Sequence, residues 1–245
     1  MPAAELRGLA AAIAFLTRVP VGRFVTLDAA DVARGGALFP LVGAGIGTVV
    51  GGIAQGLAGS LTAPIASLLG LAAGAALTGV LHLDGLADTA DAFGARTRER
   101  ALEIMRDHAV GAYGTVAVVL DLGLKAAALS VLASRHDALR YAVCATAAAR
   151  AVPVVLAALV PYARASGTGG AMGTTGLPRA VVAVAIAVAL AIVLHAPIVL
   201  ATAAGALLII GPAARRALGG VTGDVLGAAA ELCEVCAFVA AIAMT

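Results

Sequence analysis

GALFPLVGAGIGTVVGGIAQGLA, residues 36–58, contains no Asp, Glu, Lys, Arg or His. An uncharged run of this length spans the roughly 30 Å hydrocarbon layer of a membrane as a helix. Its Gly43, Gly47 and Gly51 recur every four residues, so they fall on one helix face and form a small-residue surface for close packing. The rest of the chain repeats the theme. It is 62% hydrophobic, 12% charged, and its mean hydropathy is +1.04. A soluble domain is nearer half apolar and a quarter charged, so the composition predicts an all-α, polytopic membrane bundle in a single domain, 1–245. Trp is absent and aromatics are 3%, which leaves little for an aromatic belt. The composition shows no basic, aromatic-rich surface for nucleic acid.

Outward from 36–58, the pattern predicts about seven spans: 36–58, 62–82, 109–133, 138–160, 180–195, 197–212 and 225–245. Residues 1–35 read as a short amphipathic helix and a polar connector at the membrane surface. Residues 5–18 are apolar but too short to span, and charged residues follow, so no cleavable signal-peptide pattern is expected. Seven spans place twelve of the fifteen arginines on the side that holds the N-terminus and only Arg135 and Arg140 on the other. That asymmetry predicts a cytoplasmic N-terminus, an external C-terminus and residence in the cell (inner) membrane. Cys144, Cys233 and Cys236 make no disulfide framework, and the C-x-x-C of the last span reads as apolar packing.

The charge is concentrated in HLDGLADTADAFGARTRERALEIMRD, residues 82–107, within the cytoplasmic 83–108 connector. Six of the fourteen acidic residues and four of the arginines lie there. Asp84, Asp88 and Asp91 are spaced i, i+4, i+7, which puts three carboxylates on one helical face. Such a stripe repels itself, and a divalent cation relieves the repulsion. Oxygen-only ligands suit Mg²⁺, which takes one or two carboxylates with waters and substrate phosphates. The plainer reading is a solvated acidic loop neutralised by its arginines.

A second acidic group, Asp224, Glu231 and Glu234, opens the last span behind Gly219, Gly220 and Gly223. Either it joins a metal or substrate site, or its glutamates pair with Lys125 or Arg150 inside the bundle. Asp121 and Lys125, four apart in the third span, suit an intrahelical pair or an intramembrane functional site equally. Two acidic helix ends with arginines beside them would clamp a diphosphate: carboxylates hold the cation, and guanidiniums meet the remaining phosphate oxygens.

These blocks resemble one family. FLTRVP (15–20), FPLVG (39–43), HLDGLADTADAFGA (82–95), RERALEIMRD (98–107), GAYG (111–114) and LGGVTGDVLGAAAE (218–231) are similar, in order, to the cobalamin synthases, the adenosylcobinamide-GDP ribazoletransferases. The resemblance covers almost the whole chain. It implies Mg²⁺-dependent transfer of the adenosylcobinamide phosphate group from adenosylcobinamide-GDP to α-ribazole or its 5′-phosphate, releasing GMP. It implies a metal and catalytic site of Asp84, Asp88, Asp91, Asp224 and Glu231, with Glu234 weaker. Arg96, Arg98 and Arg106 are then the expected phosphate contacts, and His82 and His108 flank the site as bases or as structural histidines. A homo-oligomer is compatible with this reading.

Two rivals follow from the residues. A lipid enzyme of the CDP-alcohol phosphotransferase kind shares the metal logic, but its D-G-x-x-A-R pattern is DGLADT here, with Asp88 and Thr89 in place of the Ala and the Arg. A membrane transporter would use the intramembrane charges Asp121, Lys125 and Arg150.

Overall fold

Apolar helices make up the computed structural model, which describes residues 3–107, 109–164 and 175–245. At the N-terminus α1 (Ala3–Leu16) and α2 (Ala29–Gly35) form a small layer, so the interfacial segment contains two helices where one was expected. Asp28 caps α2 reciprocally with Asp31. Arg7 and Arg34 close on the buried Asp31 carboxylate at 2.5 and 2.7 Å, which fixes α2 against α1.

The bundle proper is α3 (Phe39–Leu57), α4 (Ala63–Thr78), α5 (Leu81–Ala92), α6 (Arg98–Ile104), α7 (Ala112–Ser134), α8 (Ala138–Leu159), α9 (Gly176–Val193), α10 (Ile198–Leu218) and α11 (Gly223–Ile242). Among the described residues six helices are long and apolar enough to cross a membrane: α2 continued into α3, and α7 to α11. The pair α4–α5 makes a seventh if counted as one. The polytopic all-α expectation therefore holds, with two adjustments. The second span ends at Thr78 rather than 82, and the sixth runs on to Leu218 rather than 212. Arg215 and Arg216 suit the last turn of α10, where cations meet the negative end of the helix dipole. Gly219, at φ +74°, supplies the left-handed cap that stops it.

Helices in lipid gain little from hydrophobic burial against one another and associate through close packing. The sequence provides for this. Gly43 and Gly51 lie so near α8 that a Cβ would stand 2.6 Å from the Thr146 carbonyl and 2.7 Å from the Ala138 carbonyl. Thr146 Oγ1 donates across the same seam to the Gly43 carbonyl at 2.7 Å. The Ala-rich α8 and α11 are the most enclosed spans, and α3, α5, α7, α9 and α10 pack around them.

The break between α4 and α5 positions the site. Gly79 (φ +63°) and Val80 (φ +56°) are consecutive left-handed residues, and they turn the chain by 91°. Glycine takes that conformation freely. A β-branched Val does not, so Val80 holds about 1–3 kcal/mol of local strain. As a result, α5 lies across the N-terminal ends of α7 and α11 instead of continuing α4.

Candidate active site

Two glycines let α5 and α11 touch backbone to backbone. A Cβ on Gly85 would stand 2.7 Å from the Asp224 carbonyl, and one on Gly227 would stand 3.3 Å from His82. This crossing brings Asp224, in the first turn of α11, to the aspartate face of α5. Asp84 is exposed, and Asp88 and Asp224 are half-buried. Asp88 lies within electrostatic reach of Asp84, Asp224, Asp91 and Arg164.

The start of α11 is itself held in register. Val221 donates to the Pro161 carbonyl and Ala163 to the Val221 carbonyl, both at 2.8 Å, in one short parallel pairing. Thr222 then caps the helix by accepting the Val225 N–H at 3.2 Å. The same pairing delivers Arg164, which closes on Asp224 Oδ2 at 2.8 Å. Burial pushes the neighbouring Tyr162 phenol above its ordinary range, so it stays a neutral hydroxyl here.

The three aspartates of α5 do not share one environment. Asp91 accepts the Gly111 N–H at 2.7 Å with one oxygen and the Gly114 N–H at 2.9 Å with the other. It therefore caps α7 from outside that helix, satisfying donors that a helix N-terminus leaves unpaired. Asp84 and Asp88 carry no such bonds among the described residues. Among the described residues no group of three or more His, Cys, Asp or Glu side chains is arranged to hold a metal ion. One or two of Asp84, Asp88 and Asp224 could still serve a hard divalent cation that fills its remaining positions with water and phosphate oxygens.

Glu231 and Glu234 sit two to three turns deeper, in a separate cluster. Glu231 accepts from Lys125 and Glu234 from Arg150. Lys125 Nζ also lies 3.0 Å from Asp121 and 3.4 Å from Glu234. All five side chains are buried. The structure thus places Glu231 against Lys125, apart from the aspartates with which the sequence grouped it. The intramembrane charges on which a transporter would depend are here paired, Asp121 with Lys125 and Arg150 with Glu234. The Asp121–Lys125 contact is an ion pair only, and neither Asp121 oxygen has a hydrogen-bond partner among the described residues. His82 is buried beside this cluster, its Nδ1 without a described partner. His108 lies outside the described residues.

The arginines are also redistributed. Arg98 donates Nε to the Leu218 carbonyl at 2.6 Å and Nη2 to the Ala163 carbonyl at 3.3 Å, so it caps α10 and ties α6 to it. Arg96 and Arg106 are exposed at the two ends of α6. Arg164 is the guanidinium that meets the carboxylates. Sequence reading assigned it no role, because it lies sixty residues from Asp224 with no motif joining them. Cys144, Cys233 and Cys236 are free thiols; Cys144 and Cys233 are buried, in keeping with a packing role, but Cys236 is exposed.

Between α5 and α11 lies a cavity of about 140 Å³, lined by Asp84 and Asp224 and by the apolar side chains of Phe15, Leu81, Pro153 and Leu226. Fold and site together define a polytopic membrane protein with a carboxylate-rich pocket at one end of its helix bundle. The family model described as cobalamin-5-phosphate synthase matches residues 8–242. A Klebsiella pneumoniae protein named adenosylcobinamide-GDP ribazoletransferase is 40% identical over 241 residues, covering 94% of this chain and 97% of its own. Proteins of the same name from Bradyrhizobium diazoefficiens and Escherichia coli are 38% and 36% identical. They cover 91% and 92% of this chain, and 88% and 95% of their own. No solved structure matches. The chain belongs to the cobalamin-5-phosphate synthase family. It is a transferase of the late steps of cobalamin biosynthesis.

Proposed function

We propose that this transferase moves the adenosylcobinamide phosphate group from adenosylcobinamide-GDP to α-ribazole, or to its 5′-phosphate, with GMP as the leaving group. The named relatives support the donor. The observation that carries the chemistry is the α5–α11 crossing, which sets Asp84 and Asp88 opposite Asp224 and its partner Arg164. A diphosphate brings several negative oxygens, and carboxylates alone would repel it. Mg²⁺ held by Asp84, Asp88 and Asp224 would supply the positive charge that neutralises those oxygens and the leaving phosphate.

The chain's own residues supply the rest. Arg164 sits where a guanidinium can exchange Asp224 for a phosphate oxygen, a geometry it matches in two parallel hydrogen bonds. Asp91 keeps α5 fixed to α7, so Asp84 and Asp88 do not drift. The acceptor hydroxyl oxygen attacks the phosphorus that bears cobinamide. A new P–O bond forms as the hydroxyl proton is lost, the P–O bond to GMP breaks, and GMP leaves with that electron pair. Fixed groups aimed at the developing charge are what such a site contributes to rate. We place the enzyme in the cell membrane with this pocket facing the cytoplasm, where both soluble substrates can reach it. The arginine asymmetry supports that orientation.

The test is GMP release from proteoliposomes given adenosylcobinamide-GDP and α-ribazole, with Mg²⁺ or with EDTA. Mg²⁺-dependent GMP matched by an equal amount of cobalamin is the expected result. GMP release that is indifferent to EDTA overturns the metal assignment. Folded protein that releases no GMP overturns the reaction.

A further inference from the structure

Part of the pocket wall comes from the N-terminal layer. Phe15, at the end of α1, borders the cavity and is half-buried. Behind it stands Phe39, fully buried, with the two rings stacked at 5.6 Å between centroids and 21° between planes. Phe15 is therefore a fixed ring. Three residues on, the Arg18 N–H donates to the Leu77 carbonyl at 2.7 Å, and the Arg18 side chain lies over Gly79. This clamps the end of α1 to the turn that launches α5, so the Phe15 wall and the aspartate helix are held as one unit.

The cavity lining combines the carboxylates Asp84 and Asp224 with the apolar side chains of Phe15, Leu81 and Leu226. At about 140 Å³ it falls well below the roughly 300–1,000 Å³ of a pocket that encloses a whole drug-sized ligand. It suits a fragment that is flat and apolar at one end and carries oxygen at the other. A nucleoside has this form: a planar heteroaromatic base joined through a sugar to a hydroxyl or phosphate. Bases stack on aromatic side chains with little dependence on their identity. With the base against Phe15, the sugar and its oxygens share the pocket with Asp84 and Asp224.

We propose that Phe15 is the residue on which this site stacks the planar base of a nucleoside substrate. The inference rests on the transferase reading, under which two such bases exist: that of the α-ribazole acceptor and the guanine of the leaving nucleotide. The experiment uses purified full-length protein in detergent. Equilibrium dialysis would measure binding of α-ribazole and of GMP to wild type, Phe15→Leu and Phe15→Tyr, alongside KM for each substrate and kcat.

Phe15→Leu keeps apolar bulk against Phe39 and removes the ring face. It should weaken one of the two ligands about tenfold, within the range set by loss of a stacking partner, with kcat changed less than about twofold. Phe15→Tyr should restore binding. If the α-ribazole constants move, Phe15 holds the acceptor; if those for GMP and adenosylcobinamide-GDP move, it holds the leaving nucleotide. Unchanged constants for both ligands, or a fall in kcat alone, overturn the proposal. If Phe15→Leu does not fold, the Tyr variant must still bind both ligands as wild type does, and Phe15→Met must show the selective loss. Inactive wild-type protein would count against the reaction itself, whereas active wild type with unmoved Phe15→Leu constants counts against the ring alone.

Discussion

Asp84 and Asp91 share one face of α5, yet Asp91 gives both oxygens to the amides of Gly111 and Gly114, and Asp84 is exposed. The difference is testable. Asp91→Ala removes a helix cap, worth about 0.5–2 kcal/mol, so it should lower the thermal midpoint of the detergent-solubilised protein. Asp84→Asn and Asp88→Asn should leave that midpoint and membrane insertion intact while cutting GMP release by roughly two to three orders of magnitude, as loss of a charge-stabilising group does. Wild-type turnover by both Asn variants would remove the metal-site reading. Deeper in the bundle, Glu234→Ala strands the buried Arg150 guanidinium. Breaking a buried pair costs about 3–5 kcal/mol, whereas replacing both partners with apolar groups costs far less. The double variant Glu234→Met/Arg150→Met should therefore be more stable than Glu234→Ala in thermal unfolding. The reverse order would show that the network contributes net stability beyond charge balance.

At the scale of elements, the α4–α5 break and the α5–α11 crossing decide whether the carboxylates meet. Gly85 is the contact point. A methyl there would be driven into the Asp224 carbonyl and would force the helices apart. A displacement of about 1 Å at a phosphoryl-transfer site costs on the order of a hundredfold in rate. Gly85→Ala should therefore lose GMP release to about that extent at normal expression, with every carboxylate still present. Gly94→Ala is the control, because its Cβ would meet only the Tyr113 ring, at 3.5 Å, and its activity should stay near wild type. Equal activity in the two variants would show that the crossing distance does not matter.

For the whole molecule, the arginine asymmetry predicts a cytoplasmic N-terminus and an external C-terminus. A fluorescent protein fused after Thr245 should stay dark in cells, while one fused before Met1 should glow. A bright C-terminal fusion would reverse that placement and require α4–α5 to be a re-entrant pair instead of a crossing. What the sequence alone determined is the class of architecture and the chemistry of its charged stretch. Uncharged runs such as 36–58 have no stable place outside a bilayer, and three carboxylates at i, i+4, i+7 must share a face whatever surrounds the helix. Both facts are local, carried by spacing along one segment. Tertiary structure alone decided which charges meet. Arg164 reaches Asp224 through a backbone pairing at Val221, Glu231 turns to Lys125 on another helix, and Arg98 caps α10. Each of these depends on how two distant segments pack, and the partner of a charge across a bundle leaves no periodicity in the sequence to read.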